Sequence, residues 1–146
     1  MPNLERFIIA QENSYANAFQ EIRNGKKMSH WMWYIFPQLA GLGFSSTSQF
    51  YAIKNLHEAD EYLNHPILGK RLIEITTELL KHENLTAYEI FGSPDDKKLK
   101  SCMTLFSMVR NAPDVFNQVL LKYFGGKPDS RTLKLLNKNK YFPYLF

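Results

Sequence analysis

The sequence predicts a mainly α-helical fold, a single compact domain of many short helices, and three observations carry that expectation. Apolar residues recur at three- and four-residue spacing in one segment after another, capping residues precede those segments, and glycines or prolines close them. Nowhere does two-residue alternation flank a tight turn, so no hairpin is expected. At 146 residues, with 45% hydrophobic and 22% charged side chains, the chain has the size and balance of one folded domain spanning residues 1–146. Disordered and fibrous classes are excluded on the same grounds.

Asn3 is placed to cap a first helix carrying Leu4, Phe7, Ile8 and Gln11, with Glu5 in the first turn where a carboxylate suits the helix dipole. Asn13 or Ser14 caps a second helix with Tyr15, Ala18, Phe19 and Ile22 as its buried stripe, and Gly25 is positioned as its left-handed terminator. Gly41 and Gly43 mark residues 38–46 as an irregular loop. A short helix is expected from Thr47 to Asn55, and Asn55 with Glu58 has the spacing to cap the next, which His65-Pro66 ends. Leu68, Leu72, Ile75 and Leu79 form the clearest amphipathic stripe, with Lys70, Arg71, Glu74 and Glu78 expected outward.

Thr86 and Glu89 again have capping-box spacing, here before a single turn closed by Gly92. Ser93-Pro94-Asp95-Asp96 reads as cap, first-turn proline and two dipole-matched carboxylates, opening a helix to about Val109. Cys102 lies on its apolar stripe and is expected in the core. Ala112-Pro113-Asp114 opens a further helix ended by Gly125-Gly126, and Asp129 or Ser130 caps a last one through Leu133, Leu135 and Leu136. The aromatic tail Tyr141–Phe146 is expected to dock on the domain.

One stretch resists both periods. Ser29-His30-Trp31-Met32-Trp33-Tyr34-Ile35-Phe36-Pro37-Gln38 holds both tryptophans, two further aromatics and a histidine, with almost no polar side. Such a block is expected to be largely buried, with its indole N–H groups and the Tyr34 hydroxyl finding partners. Core is the commoner meaning of such a segment, and the wall of a small-molecule pocket is the functional one. On the pocket reading Ser29, His30, Trp31, Trp33 and Gln38 face the ligand.

Established motifs are missing: no phosphate-binding glycine loop, no serine nucleophile elbow and no H-E-x-x-H. His30, His57, His65 and His82 are scattered, so neither a metal site nor a cofactor is expected. The carboxylates at loop-to-helix junctions, Asp95, Asp96 and Glu58, are the candidates for chemistry, although helix capping accounts for each. Lys27 and Lys98 are candidate phosphate contacts. Net charge is +4, and between Lys122 and Lys140 the bases Lys122, Lys127, Arg131, Lys134, Lys138 and Lys140 face Asp129 alone. A solvated helix face is the ordinary meaning of such a run; a protein or nucleic-acid interaction surface is the functional alternative. A single cysteine, no secretory leader and no apolar run of ~18 residues make the cytoplasm the expected location and exclude a membrane span.

The block from Ser29 to Gly43, together with Tyr51-Ala52-Ile53, Glu58-Ala59, Tyr62-Leu63-x-His65-Pro66-x-Leu68-Gly69-x-Arg71-Leu72, Ile90-Phe91-Gly92-x-Pro94-Asp95-Asp96-x-Lys98-Leu99 and Ser101-x-Met103-Thr104-Leu105-Phe106, resembles the bacterial and fungal family called domain of unknown function eighteen-ten. The resemblance runs from Leu4 to Leu136. The name calpastatin sometimes attached to that family does not suit a chain of globular composition, because calpain inhibitors of that kind are extended and disordered. The family is similar in overall pattern to the YbiA-like, or NADAR, proteins, mainly helical and including N-glycosidases. That similarity implies a YbiA-like fold and a nucleotide-like or ADP-ribose-like ligand, with cleavage of an N-glycosidic bond as the reaction. Trp31, Trp33 and Tyr51 would then stack on the base, Lys27 or Lys98 would hold phosphate, and Asp96, Asp95 or Glu58 would supply the carboxylate. The NADAR pattern has a glutamate just before the segment matching Ser48-Gln49-Phe50-Tyr51, where this chain offers serine and glutamine. That departure favours a non-enzymatic ligand-sensing module as the alternative.

Overall fold

The structure, a computed structural model, describes residues 3–141, with side chains through residue 138. Among them ten helices and no strand occur: α1 Glu5–Glu12, α2 Tyr15–Asn24, α3 Met32–Ile35, α4 Ser46–Phe50, α5 Leu56–Asn64, α6 Leu68–Leu79, α7 Ala87–Phe91, α8 Asp95–Ser107, α9 Val115–Phe124 and α10 Ser130–Tyr141. Helix α8 lies at the centre, packed by α5, α7, α9 and α10, while α6 bridges α2, α5 and α9. The result is a mainly helical, single compact domain.

Burial around α8 extends beyond one stripe. Leu99, Cys102, Met103, Leu105 and Phe106 are buried, and so are Ser101 and Thr104. The two hydroxyls escape the cost of burial by donating to carbonyls one turn back, Ser101 to Lys97 at 3.2 Å and Thr104 to Lys100 at 2.8 Å. Thr104 Oγ1 also accepts the Asp129 N–H at 2.8 Å, which ties the start of α10 to α8. Cys102 is core as expected, and burial pushes its thiol pKa well up. From there a chain of rings crosses the interior: Phe7 edge-on to Tyr62 at 5.0 Å, Tyr62 to Phe106 at 5.4 Å, and Phe106 to Phe116 at 5.8 Å.

Capping explains most boundaries. Gly25 and Gly125 adopt the left-handed conformation after α2 and α9. Asn55 accepts the Glu58 N–H, and Thr86 with Glu89 completes a reciprocal capping box. Asp129 Oδ2 accepts from both the N–H and the hydroxyl of Thr132 at 2.9 and 2.6 Å, so the aspartate caps α10.

Other expectations are corrected. Helix α1 starts after Leu4 with no side-chain cap. Ser14 precedes α2, but its hydroxyl bonds the Tyr34 hydroxyl at 3.0 Å instead of capping. The helix expected over Thr47–Asn55 stops at Phe50, because a parallel bridge between Leu39 and Ile53 claims the following backbone: Ala40 N–H donates to Ile53 O at 2.8 Å and Ile53 N–H to Gln38 O at 2.9 Å. Glu78 points inward, 6% exposed, held by Arg23 and Lys81. Pro94 stands in place of Ser93 at the N-cap of α8, its carbonyl accepting from the N–H groups of Lys97 and Lys98, and α8 closes at Ser107 rather than near Val109. The docking expected of Tyr141–Phe146 lies outside the described side chains. No helix among the described residues is long and apolar enough to cross a membrane.

Candidate functional site: an aromatic cleft edged by lysines

The site is organised from a residue the sequence does not advertise. Glu21, on α2 and 7% exposed, aims its carboxylate at the loop that follows Gly25. Oε1 accepts the N–H groups of Met28 and Ser29 at 2.7 and 3.0 Å and the Trp31 indole N–H at 2.9 Å; Oε2 accepts the Ser29 hydroxyl at 2.6 Å and the Asn17 amide at 2.8 Å. Burial works against the charge, but the bonds from Ser29, Met28 and Trp31 outweigh it and hold the pKa down at about 2 against an ordinary 4.5. The loop is thereby fixed with Met28 and His30 exposed and Trp31 driven into the core against Phe36 and Phe91.

Lys27 enters the same assembly from the other side. Its N–H donates to Ile90 O at 2.7 Å, and its buried ammonium reaches Ser29 O at 2.6 Å, Asp95 Oδ2 at 3.0 Å and the Trp31 ring at 5.0 Å. Asp95, the first residue of α8, also faces the Lys98 ammonium at 3.7 Å, so one carboxylate sits between two cations. Lys98 is the looser partner, 28% exposed and 5.9 Å from the Trp33 ring.

Trp31 caps the single turn α3, and Trp33 lies within it. Met32 and Ile35 go inward with Trp31, whereas Trp33 is half-buried and lines a cleft with Gln38, Ser48, Tyr51 and Lys98 over a floor of Met32 and Phe36. Its volume is about 270 Å³ including the open mouth, and the enclosed part has room for one water molecule at most. Tyr51 anchors the far wall, 4.8 Å from the Phe50 ring, 5.3 Å from Tyr34 and 5.9 Å from Phe7. Burial, then the neighbouring Tyr34, raise the Tyr51 hydroxyl pKa.

Of the predicted site residues, the structure brings Trp33, Gln38, Tyr51 and Lys98 together in the cleft and places Lys27 and Asp95 behind Lys98. Ser29 is spent on Glu21, His30 faces solvent, and Trp31, 1% exposed, is core with its indole N–H occupied. Asp96 is half-buried, with Oδ1 accepting the Lys97 N–H at 2.9 Å. Glu58 lies behind the cleft wall, 4% exposed, bonded to Arg6 at 3.2 Å and the Lys54 N–H at 2.9 Å. Arg6 in turn donates to Phe50 O at 2.8 Å and Ala52 O at 2.9 Å, clamping the 50–58 segment to α1. Arg6→Ala strands the buried Glu58 charge, and urea unfolding should show a loss of about 3–5 kcal/mol; Arg6→Met with Glu58→Leu should recover most of it.

Sequence reasoning missed Ser48 and Glu21. Ser48 lies one helical turn before the candidate Tyr51, which was the available signal; Glu21 offered none, since its position on α2 is that of an ordinary surface carboxylate. Among the described residues no group of three or more His, Cys, Asp or Glu is placed to hold a metal ion.

Fold and site together define a class: a small helical domain with an aromatic cleft whose rim carries a paired cation. The profile of the family described as "Protein of unknown function (DUF1810)" matches residues 1–136, and the chain belongs to that family. It is similar in structure to the conserved hypothetical protein Rv1873 from Mycobacterium tuberculosis, with a TM-score of 0.89 and 47% identity over 91% of this chain and 95% of that one. No curated protein matches.

Proposed function

We propose that the cleft binds a planar, phosphate-bearing ligand of nucleotide or ADP-ribose type without turning it over. The observation supporting this reading is that Lys98 lines the same cleft as Trp33 and Tyr51 while being only partly occupied by Asp95. A ring and a cation side by side are what a base with an attached phosphate requires. Trp33 and Gln38, both half-buried at the rim, must swing aside to admit a ring, since the closed cleft holds one water molecule at most.

Binding is favoured over hydrolysis because, among the described residues, no carboxylate lines the cleft. Kinship with the N-glycosidases of the NADAR group would require Asp95, held between Lys27 and Lys98, to stabilise an oxocarbenium-like transition state. A reducing, cytoplasmic setting suits the buried Cys102 thiol.

Thermal unfolding against AMP, NAD and ADP-ribose tests the reading. One of them at about 100 times its Kd should add roughly 2.7 kcal/mol of stability, and Trp33→Ala or Lys98→Ala should weaken binding at least about tenfold, the loss of one ring or charge contact. Silence from all three compounds would refute it. Release of free base, followed by chromatography and abolished in Asp95→Asn, would replace sensing by N-glycosidic cleavage.

A further inference from the structure

Two stretches without a carboxylate meet beside the cleft. No Asp or Glu occurs between Glu21 and Glu58, and none follows Asp129. Helix α10 starts beside Thr104, where its cap is tied down, and by Leu135 has reached the loop before α4, the Leu135 methyls facing Gly41. That loop and α4 form a wall of the cleft through Gln38, Ser48 and Tyr51.

The outer side of α10 is basic. Arg131, Lys134 and Lys138 recur at three- and four-residue spacing and all are exposed, while Thr132 and Leu136 turn inward. The three form one stripe, roughly 10 Å long at the helical rise. Asp129, whose carboxylate caps the helix through Thr132, is a single negative charge at the start of a stripe of three cations.

On the loop side the surface is aromatic. Phe44 is 78% exposed and Phe50 58% exposed, flanking α4 at its two ends. Phe50 stands edge-on to Tyr51, so the exposed rings continue into the cleft. Protruding rings on a loop that touches a basic helix offer stacking faces to unpaired bases and attraction to their phosphates; a duplex keeps its base faces covered and has nothing to stack on them.

We propose that this face binds single-stranded nucleic acid, with bases stacking on Phe44 and Phe50 and phosphates following Arg131, Lys134 and Lys138. The proposal rests on the stripe and the two rings, and stands independently of the function proposed above for the cleft.

The test is fluorescence anisotropy with a labelled single-stranded oligonucleotide of about twelve residues, within the usual site sizes, titrated at several salt concentrations. Affinity should fall with salt at a log–log slope of about −2, near −0.7 for each of three phosphate contacts. Arg131→Glu with Lys134→Glu and Lys138→Glu should flatten that slope and weaken binding at least about tenfold. Phe44→Ala with Phe50→Ala should weaken binding at least about thirtyfold with the slope intact. These positions are exposed, so circular dichroism should show the fold retained. Lys70→Glu, on α6, should leave binding unchanged.

No binding at low salt with about 100 μM protein, the weak end of non-specific affinity, overturns the proposal. So does an equal loss from Lys70→Glu, duplex binding as tight as single-strand binding, or equal competition from polyglutamate. Mononucleotide binding that Trp33→Ala abolishes, with no oligonucleotide bound, overturns this inference and leaves the cleft reading standing. Oligonucleotide binding unaffected by Trp33→Ala, with no mononucleotide bound, does the reverse.

Discussion

Gly69→Ala should strongly destabilise the domain, although helix propensity alone predicts the opposite sign. Gly69 lies in the first turn of α6, where alanine is about 1 kcal/mol the better helix former. A Cβ there would stand 1.8 Å from the Leu63 carbonyl oxygen and 2.6 Å from its carbon. Both are backbone atoms of α5, so no side-chain rotation relieves the clash; α5 and α6 must separate. Separation disturbs Tyr62, Leu68 and Leu72, all essentially inaccessible to solvent. The expected loss is on the order of 3 kcal/mol or more, a fall of roughly 10 °C in Tm for a domain of this size. Thermal and urea unfolding measure it, and a stabilised Gly69→Ala protein would show that the α5–α6 contact is looser than described.

Glu21→Gln should be the second large effect, and its signature is pH dependence. The folded pKa of Glu21 is held near 2, below its ordinary 4.5. A carboxylate depressed in this way contributes stability that is fully present above about pH 4.5 and is lost as pH falls towards 2; at neutral pH the contribution is on the order of 3 kcal/mol. Glutamine keeps the shape, but its amide nitrogen must face two or three of the five donors that the carboxylate accepts. Urea unfolding should therefore show a deficit of about 2–3 kcal/mol at pH 7 that shrinks steadily below pH 4. A deficit independent of pH would mean that Glu21 acts by packing rather than by charge. The same variant should loosen Trp31 and alter the fluorescence of the buried indole, since the bond from its N–H is among those weakened.

How far each feature could be read in advance follows from the range of the forces involved. The capped helix starts at Asn55 and Thr86 and the glycine stops at Gly25 and Gly125 depend on a few neighbouring residues, so their spacing was sufficient. The α4 boundary depended on a partner elsewhere in the chain: nothing in residues 47–55 reveals that Ile53 will pair with Leu39. Glu78 was misplaced for a related reason. Amphipathic spacing presumes that the polar side meets water, and here Arg23 from α2 meets it first.

The candidate site divides in the same way. Its composition was legible, because two tryptophans, Tyr34 and Phe36 in one short block have few places to go, and the lysines and Asp95 stood out at segment junctions. Which tryptophan would serve as wall was undetermined: the single turn of α3 sends Trp31 into the core and leaves Trp33 at the rim. Likewise Asp95, Asp96 and Glu58 looked equivalent as junction carboxylates, yet one lies between two lysines, one meets the neighbouring backbone, and one is sealed under Arg6.

By itself, then, the sequence determined the helical class, most of the turns and caps, the single domain and the family, all of which rest on local backbone preference and on the spacing of apolar residues. Only the tertiary structure decided which side chains share a cleft, which carboxylates are already engaged, and that Glu21 organises the loop beneath the site. Those outcomes depend on distances between residues far apart in the chain, set by how the helices pack, and no local pattern encodes them.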